Sequence, residues 1–252
     1  MENFGGHKES MVNECEQLLL ERTEILNYVQ RNFEELSKRA DTAPIIKFGT
    51  KCDLLGQFCP SIITFKRDKK MKKGKFLKEK AEGIPYTVYE MNEDKTPIRL
   101  RKYNQYGCDL TCYFYNRNDF SYAVPLFRET KSDYKTYIYK YLIQKGRILE
   151  CAKIENCHVV FEKYNYSHFE EGYFECDWCY YYNSSFSRIS SSLVEMVTKK
   201  IEQEKLNIPS DDKCTIRISR YYYKIFVKDS KVHYIEEYVR NADELKYVRT
   251  LW

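Results

Sequence analysis

Hydrophobic positions in residues 8 to 40 recur every three or four residues, with charged and amide side chains between them. This period predicts one long amphipathic helix whose apolar side carries Met11, Cys15, Leu18, Leu19, Ile25, Leu26, Val29, Phe33 and Leu36. Proline cannot continue a helix, so we expect the helix to end before Asp41, ahead of Pro44. The stripe is nearly heptad-spaced but interrupted by Arg22, which leaves two alternatives open: docking on a sheet of the same chain, or self-association as a coiled coil.

From Pro44 to Asn183 the period changes to two. One run places Cys108, Leu110, Cys112 and Phe114 on one side, and Asp109, Thr111, Tyr113 and Tyr115 on the other. A later run places Phe174, Cys176, Trp178, Tyr180 and Tyr182 opposite Tyr173, Glu175, Asp177 and Tyr181. Such alternation predicts antiparallel strands with one face buried and the other in water.

Short turn signals separate the predicted strands and indicate a meander. They lie at residues 104–107, 116–119, 144–146, 155–156 and 170–172. Helical spacing returns over residues 186–207, and strands are predicted again at 214–218, 224–227 and 232–236. We therefore expect one α+β domain, with both helices packed on one antiparallel sheet. Its parts are an N-terminal helix (1–43), the meander (44–183), and a helix with C-terminal strands (184–252).

Composition changes the picture in one respect, because 40 of the 252 residues are aromatic, 24 of them tyrosine. No apolar run approaches the roughly 18 residues that a membrane span needs, and no signal sequence is visible at the start. We therefore expect a cytoplasmic protein without a membrane partner, with its ten cysteines as reduced thiols.

Positive charge is concentrated in residues 66–80, which hold nine Lys or Arg and two acidic residues. The segment contains Lys66, Arg67, Lys69, Lys70, Lys72, Lys73 and Lys75. Three interpretations stay open: a solvated hairpin tip whose lysines prevent edge aggregation, a nucleic-acid site with steep salt dependence, or a contact to an acidic protein. Nucleic-acid binding through this segment is the alternative function.

Candidate catalytic or metal-binding side chains are few. Cys176 and Cys179 have the spacing of a redox or zinc pair, and His168 is the nearest further ligand. In a strand, however, positions three apart point to opposite faces, so the two thiols would not meet. No nucleophile elbow, zinc-protease helix or phosphate-binding loop occurs. We predict a non-enzymatic protein with no cofactor and no metal; a thiol or zinc enzyme is the third hypothesis.

Tyrosines carry the main functional prediction. Many lie on the polar side of their strands, where a phenol ring offers apolar area, a polar tip and a low entropic cost of immobilisation. Together with neighbouring acids they predict a protein-binding sheet face formed by Asp109, Tyr113, Tyr115, Tyr173, Glu175, Asp177 and Tyr181. Two alternatives remain: a helix layer covers this face, or the tyrosine content reflects a low-GC genome.

An amphipathic N-terminal helix followed by a tyrosine-rich meander with glycine turns resembles the immunity proteins of bacterial polymorphic toxin systems. The resembling units are Tyr103 to Tyr115, Tyr137 to Ile154 and Phe161 to Tyr182, about half of the chain. Such proteins share no catalytic motif, so no residue role is carried over. The resemblance implies stoichiometric inhibition of a cognate toxin domain.

Overall fold

The computed structural model describes residues 4–50, 61–63, 75–80, 85–105, 107–127, 137–184, 216–229, 231–241 and 244–251. Within them, the predicted N-terminal helix forms as α1 (Phe4–Arg31) and α2 (Phe33–Asp41). Only Asn32 separates the two helices, and its side-chain Nδ2 donates a hydrogen bond of 2.8 Å to the carbonyl of Tyr28. The same carbonyl also accepts the backbone N–H of Asn32 at 3.0 Å, so the side chain adds a second donor at the point where the two helices meet.

Thirteen strands follow in the described part of the chain. They are β1 (Ile45–Thr50), β2 (Phe76–Leu77), β3 (Tyr86–Met91), β4 (Pro97–Asn104), β5 (Gly107–Arg117), β6 (Phe120–Phe127), β7 (Ile138–Gln144), β8 (Arg147–Ile154), β9 (His158–Asn165), β10 (Tyr173–Asn183), β11 (Ile216–Lys228), β12 (Lys231–Asn241) and β13 (Glu244–Leu251). All belong to one antiparallel sheet, in the order β13 to β3 and then β1 and β2. Each pair of consecutive strands from β3 to β13 is therefore adjacent in the sheet, which confirms the predicted meander.

The predicted turns fall between consecutive strands. Lys145 and Gly146, both with positive φ (50° and 74°), form the two-residue connection of β7 and β8. Positive φ at both positions is the signature of a type I′ turn, whose twist matches that of the flanking strands. The turn at 170–172 contains a short 3-10 helix, Phe169–Glu171, which ends at Gly172 with a φ of 91°.

Three parts of the fold prediction change. The described residues are mostly β, so the α+β assignment gave the helices too much weight. The predicted strands at 214–218 and 224–227 form one long strand, β11, and the final strand β13 was not predicted. The helix predicted at 186–207 lies outside the described residues.

The two helices lie on the sheet face that carries Tyr113, Tyr115 and Tyr181. Six positions of the predicted stripe are buried against this face: Cys15, Leu18, Leu19, Ile25, Val29 and Leu36. Phe33 departs from the prediction, since 46% of its surface is exposed. The helix thus docks on the sheet of its own chain, mainly against β8, β9 and β10.

The opposite face of the sheet holds a second core. Its buried residues include Leu100, Cys112, Phe114, Tyr139, Tyr141, Cys151, Tyr164, Phe174, Cys176, Tyr223, Ile225 and Ile235. The short segment 61–63 lies against this face: Ser61 donates a 2.7 Å hydrogen bond to buried Glu162, and the backbone N–H of Ile62 donates to the Tyr164 hydroxyl. Both faces of the central strands are therefore buried.

A buried ion network joins α2 to the sheet. Glu90 on β3 is 2% exposed and accepts hydrogen bonds from Arg99 and Arg101 on β4. Arg99 also reaches Asp41 at the end of α2, at 2.7 Å. A buried charge is tolerated only when it is paired in this way.

Among the described residues, no helix has the length and apolar content required to cross a membrane.

Replacing Glu90 with Gln should lower the free energy of unfolding by about 3 kcal/mol, because the guanidinium of Arg99 loses its buried counter-charge and keeps only the exposed carboxylate of Asp41. Urea denaturation measures the change. Glu24→Gln is the control, since Glu24 and Arg117 form an exposed pair at 3.5 Å and its loss should cost less than about 1 kcal/mol. Equal changes in the free energy of unfolding for the two substitutions would contradict a stabilising role of the buried ion network.

Alkaline pH should destabilise the fold through its phenols. Burial, aided by the hydrogen bond to Glu16, raises the pKa of Tyr181 to about 12, and burial raises that of Tyr166 to about 12. Their unfolded-state pKa is about 10, so they contribute stability below pH 10 that is lost as the pH rises towards 12. The urea midpoint should therefore fall over this window, and Tyr181→Phe should make the fall shallower. A Tyr181→Phe profile parallel to that of the wild type would refute this assignment.

Candidate functional site

Three of the predicted binding tyrosines are not on a solvated surface. Tyr113 is 2% exposed, Tyr115 7% and Tyr181 0%, all beneath α1 and α2. Their assignment to the polar side of the strands is correct, but the expectation that this side meets water is wrong at these positions. These residues connect the helices to the sheet and offer no contact to a partner.

Hydrogen bonds connect the helices to the tyrosine-bearing face of the sheet. The Tyr181 hydroxyl donates to Glu16 at 2.5 Å, and the Tyr122 hydroxyl donates to Glu21 at 2.6 Å. Tyr113 and Ser37 share a hydrogen bond of 2.7 Å. Each phenol thus buries its ring under a helix while its hydroxyl finds a partner on that helix, which removes the cost of burying the polar tip.

The other predicted site residues have different surroundings. Tyr173, Glu175 and Asp177 lie in the first half of β10, on the same face as Tyr181, and are half-buried. Asp109 belongs to β5, but its side chain is outside the described structure. The structure therefore separates the predicted set: Tyr113, Tyr115 and Tyr181 belong to the helix-docking region, whereas Tyr173, Glu175 and Asp177 lie next to the last strands.

These last strands extend the β10 residues into a broader surface, which we call the distal face. It comprises Tyr173, Glu175 and Asp177 of β10, Tyr222, Lys224 and Phe226 of β11, Tyr234, Glu236 and Tyr238 of β12, and Tyr247 of β13. The cross-strand register brings these side chains to the same side of the sheet. Tyr222 is buried, Tyr247 is 53% exposed, and the other members are half-buried.

Aromatic rings form two rows across the distal face. In the first, Tyr173 packs on Phe226 with ring centroids 5.6 Å apart, and Phe226 stacks on Tyr234 at 4.4 Å. His168 extends this row by stacking on Tyr173 at 4.9 Å. In the second row, Tyr238 makes edge contacts with Tyr222 at 5.9 Å and with Tyr247 at 5.7 Å.

A charged row runs between the aromatic rows. Lys224 stands between Glu175 on one neighbouring strand and Glu236 on the other. The ammonium of Lys224 lies 5.4 Å from the ring centroid of Tyr173. The surface thus combines aromatic area with charged side chains of both signs.

Hydrogen bonds fix the phenols of the second row. The Tyr222 hydroxyl donates to Glu175, and the Tyr238 hydroxyl donates to Glu236 at 2.6 Å. Burial together with the bond to Glu236 raises the pKa of Tyr238 to about 12, and the pKa of Tyr222 is raised for the same kinds of reason. Both phenols therefore stay protonated at neutral pH and hold their carboxylates in place.

Sequence reasoning missed the members of this face on β11, β12 and β13. The alternation of Tyr222, Lys224 and Phe226 was a usable signal, as was that of Tyr234, Glu236 and Tyr238. What sequence could not provide was the register, which decides that these residues continue the row begun by Tyr173 and Glu175.

The thiols do not form a common site. Cys176 belongs to the core on one face and Cys179 to the core under α1 on the other, as strand geometry predicts. Cys179 contacts Cys15 of α1, and burial raises the pKa of the Cys176 thiol. A buried protonated thiol is a poor nucleophile and a poor metal ligand. His168 instead hydrogen-bonds Glu171 at 3.0 Å, and the described residues contain no cluster of three metal-ligating side chains.

Most of the basic segment predicted for nucleic acid, Lys66 to Lys73, lies outside the described residues. Lys75 is described and exposed, and its backbone N–H and carbonyl are hydrogen-bonded to Thr50. The structure thus places only one of the seven basic residues proposed for that alternative.

Comparisons of this chain with protein-family models, with curated proteins and with solved structures found no match in any of the three.

Proposed function

We propose that this chain is a non-enzymatic protein of the cytoplasm that binds another protein through the distal face. The observation that carries the proposal is the pair of ordered aromatic rows, the second of which ends at the exposed ring of Tyr247 on β13. Following the resemblance to immunity proteins, the partner is a toxin domain whose activity is blocked by coverage.

Energetics favour such a surface as an interface. Tyrosine is among the residues that contribute most to binding, and hot-spot residues each contribute 2 kcal/mol or more. Here the hydroxyls of Tyr222 and Tyr238 are already fixed by carboxylates, so little side-chain entropy remains to be lost on binding. Nanomolar affinity requires about 12 kcal/mol, which an interface of standard size with several such anchors can supply.

Charge on the distal face favours a protein over a nucleic acid. Sheet surfaces that stack nucleobases on aromatic rings also need cationic side chains for the phosphates. On the distal face the carboxylates of Glu175, Asp177 and Glu236 outnumber the ammonium of Lys224. A phosphate backbone laid across these rings would meet net repulsion.

The double substitution Tyr238→Ala/Tyr247→Ala should abolish partner retention while preserving the fold. Affinity-tagged wild type, produced in the cells that naturally make it, should retain one stoichiometric protein. Loss of two ring anchors, at roughly 2 kcal/mol or about 30-fold for each hot spot, should weaken that complex about 1,000-fold. Affinity capture with quantitative mass spectrometry provides the measurement.

Tyr28→Ala is the matched control, because Tyr28 is 43% exposed but lies on α1. It should retain the partner at the wild-type level, and the melting temperatures of both variants should be compared. Equal retention by the distal-face variant, or retention of nucleic acid without any stoichiometric protein, would overturn the proposal.

A further inference from the structure

A groove of about 700 Å³ lies between α1 and the sheet, away from the distal face. Its apolar floor is formed by Leu18 of α1 together with Phe120, Ala152 and Phe161 of the sheet. Three carboxylates line it as well, from Glu14 and Glu21 on α1 and from Glu150 on β8. The volume lies within the range of small-molecule sites, which combine apolar walls with a few convergent polar groups.

One end of the groove already holds an alkylammonium group. The Nζ atom of Lys140 lies 2.6 Å from Glu21 and 4.2 Å from the ring centroid of Phe120. The second oxygen of Glu21 accepts the Tyr122 hydroxyl. This end shows how the groove accommodates such a group: the charge meets a carboxylate and an aromatic ring, as in other cation–π contacts.

The other end of the groove also carries carboxylates, but no ammonium of the described residues lies within hydrogen-bonding distance of them. Glu14 and Glu150 face a common cation, Lys163, whose Nζ atom is 3.7 Å from an oxygen of each. That distance exceeds hydrogen-bonding range. The Lys163 side chain is itself 52% exposed, so it is a weakly held partner. Two carboxylates with about four acceptor sites each thus converge on the groove with acceptor capacity to spare.

We propose that this groove binds a free aliphatic amine, with one ammonium between Glu14 and Glu150 and the alkyl stem against Leu18, Ala152 and Phe161. Helix geometry sets the length of the ligand. Glu14 and Glu21 are seven residues apart on α1, a rise of roughly 10 Å, which a diamine of about five carbons spans with a hydrogen bond at each end. The second ammonium then replaces that of Lys140 at Glu21, beside the Phe120 ring.

This binding is independent of the proposed protein interface, because the groove and the distal face share no residue. Their tests are therefore separate. A variant that loses amine binding should still bind the partner protein, and a distal-face variant should still bind the amine.

The experiment is isothermal titration calorimetry of the full chain with 1,5-diaminopentane at low salt, where screening of the charges is weakest. We expect saturable 1:1 binding. The uncharged analogue of equal length, 1,5-pentanediol, should bind at least tenfold more weakly. Glu14→Gln/Glu150→Gln should weaken diamine binding at least tenfold, whereas the matched double variant Glu34→Gln/Glu93→Gln, at two exposed positions outside the groove, should bind as the wild type does.

Melting temperatures of both double variants verify that each is folded, and both lose the same formal charge. Three results would overturn the assignment: no saturable binding of the diamine, equal binding of the diol, or equal weakening by the two double variants. The last result would mean that only the overall charge of the protein attracts the amine.

Discussion

Hydrogen bonds from tyrosine hydroxyls to the N-terminal helices fix the part of the sheet that these helices bury. Tyr181 and Tyr122 bind Glu16 and Glu21 of α1, while Tyr113 binds Ser37 of α2. The rings supply apolar area, and the helix supplies acceptors for the polar tips. Helix docking thus buries the part of this sheet face that carries Tyr113, Tyr115 and Tyr181. The distal face is a separate part of it, on β10 to β13.

The same chemistry recurs beyond the helices with a different result. On the distal face, Tyr222 and Tyr238 donate to Glu175 and Glu236, which belong to neighbouring positions of the sheet itself. The acceptors that hold these two rings thus belong to the sheet. Tyrosine in the same alternating pattern therefore has two roles. Under the helices it connects helix to sheet, and on the distal face it forms an ordered aromatic surface.

Much of the fold could be predicted from the sequence because its signals are local. The three-to-four spacing gave the N-terminal helix to within a few residues, and Gly146 and Gly172 marked real turns. Alternation also assigned Tyr113 and Cys112 to opposite faces correctly. Burial could not be predicted in the same way. Whether Tyr113 meets water depends on where a distant helix docks, and neighbouring residues do not encode that contact.

The continuity of β11 could not be predicted from local sequence either. Residues 219–223 contain three consecutive tyrosines, which obscure a period of two, so β11 was read as two shorter strands. Only the long pairing with β10 shows that it is continuous. The candidate site could not be predicted for the same reason, because its aromatic rows are recognised only when the register of β10 to β13 is known.

The order of the strands has a consequence for how the polypeptide matures on the ribosome. Each hairpin from β3 onwards closes between neighbours, so the sheet can grow strand by strand as the chain emerges. Helix α1 precedes the sheet in the chain, yet its buried seat on β8, β9 and β10 is completed only with residue 183. The apolar stripe of α1 therefore emerges long before its docking site is complete, and in that interval it is open to non-native contacts.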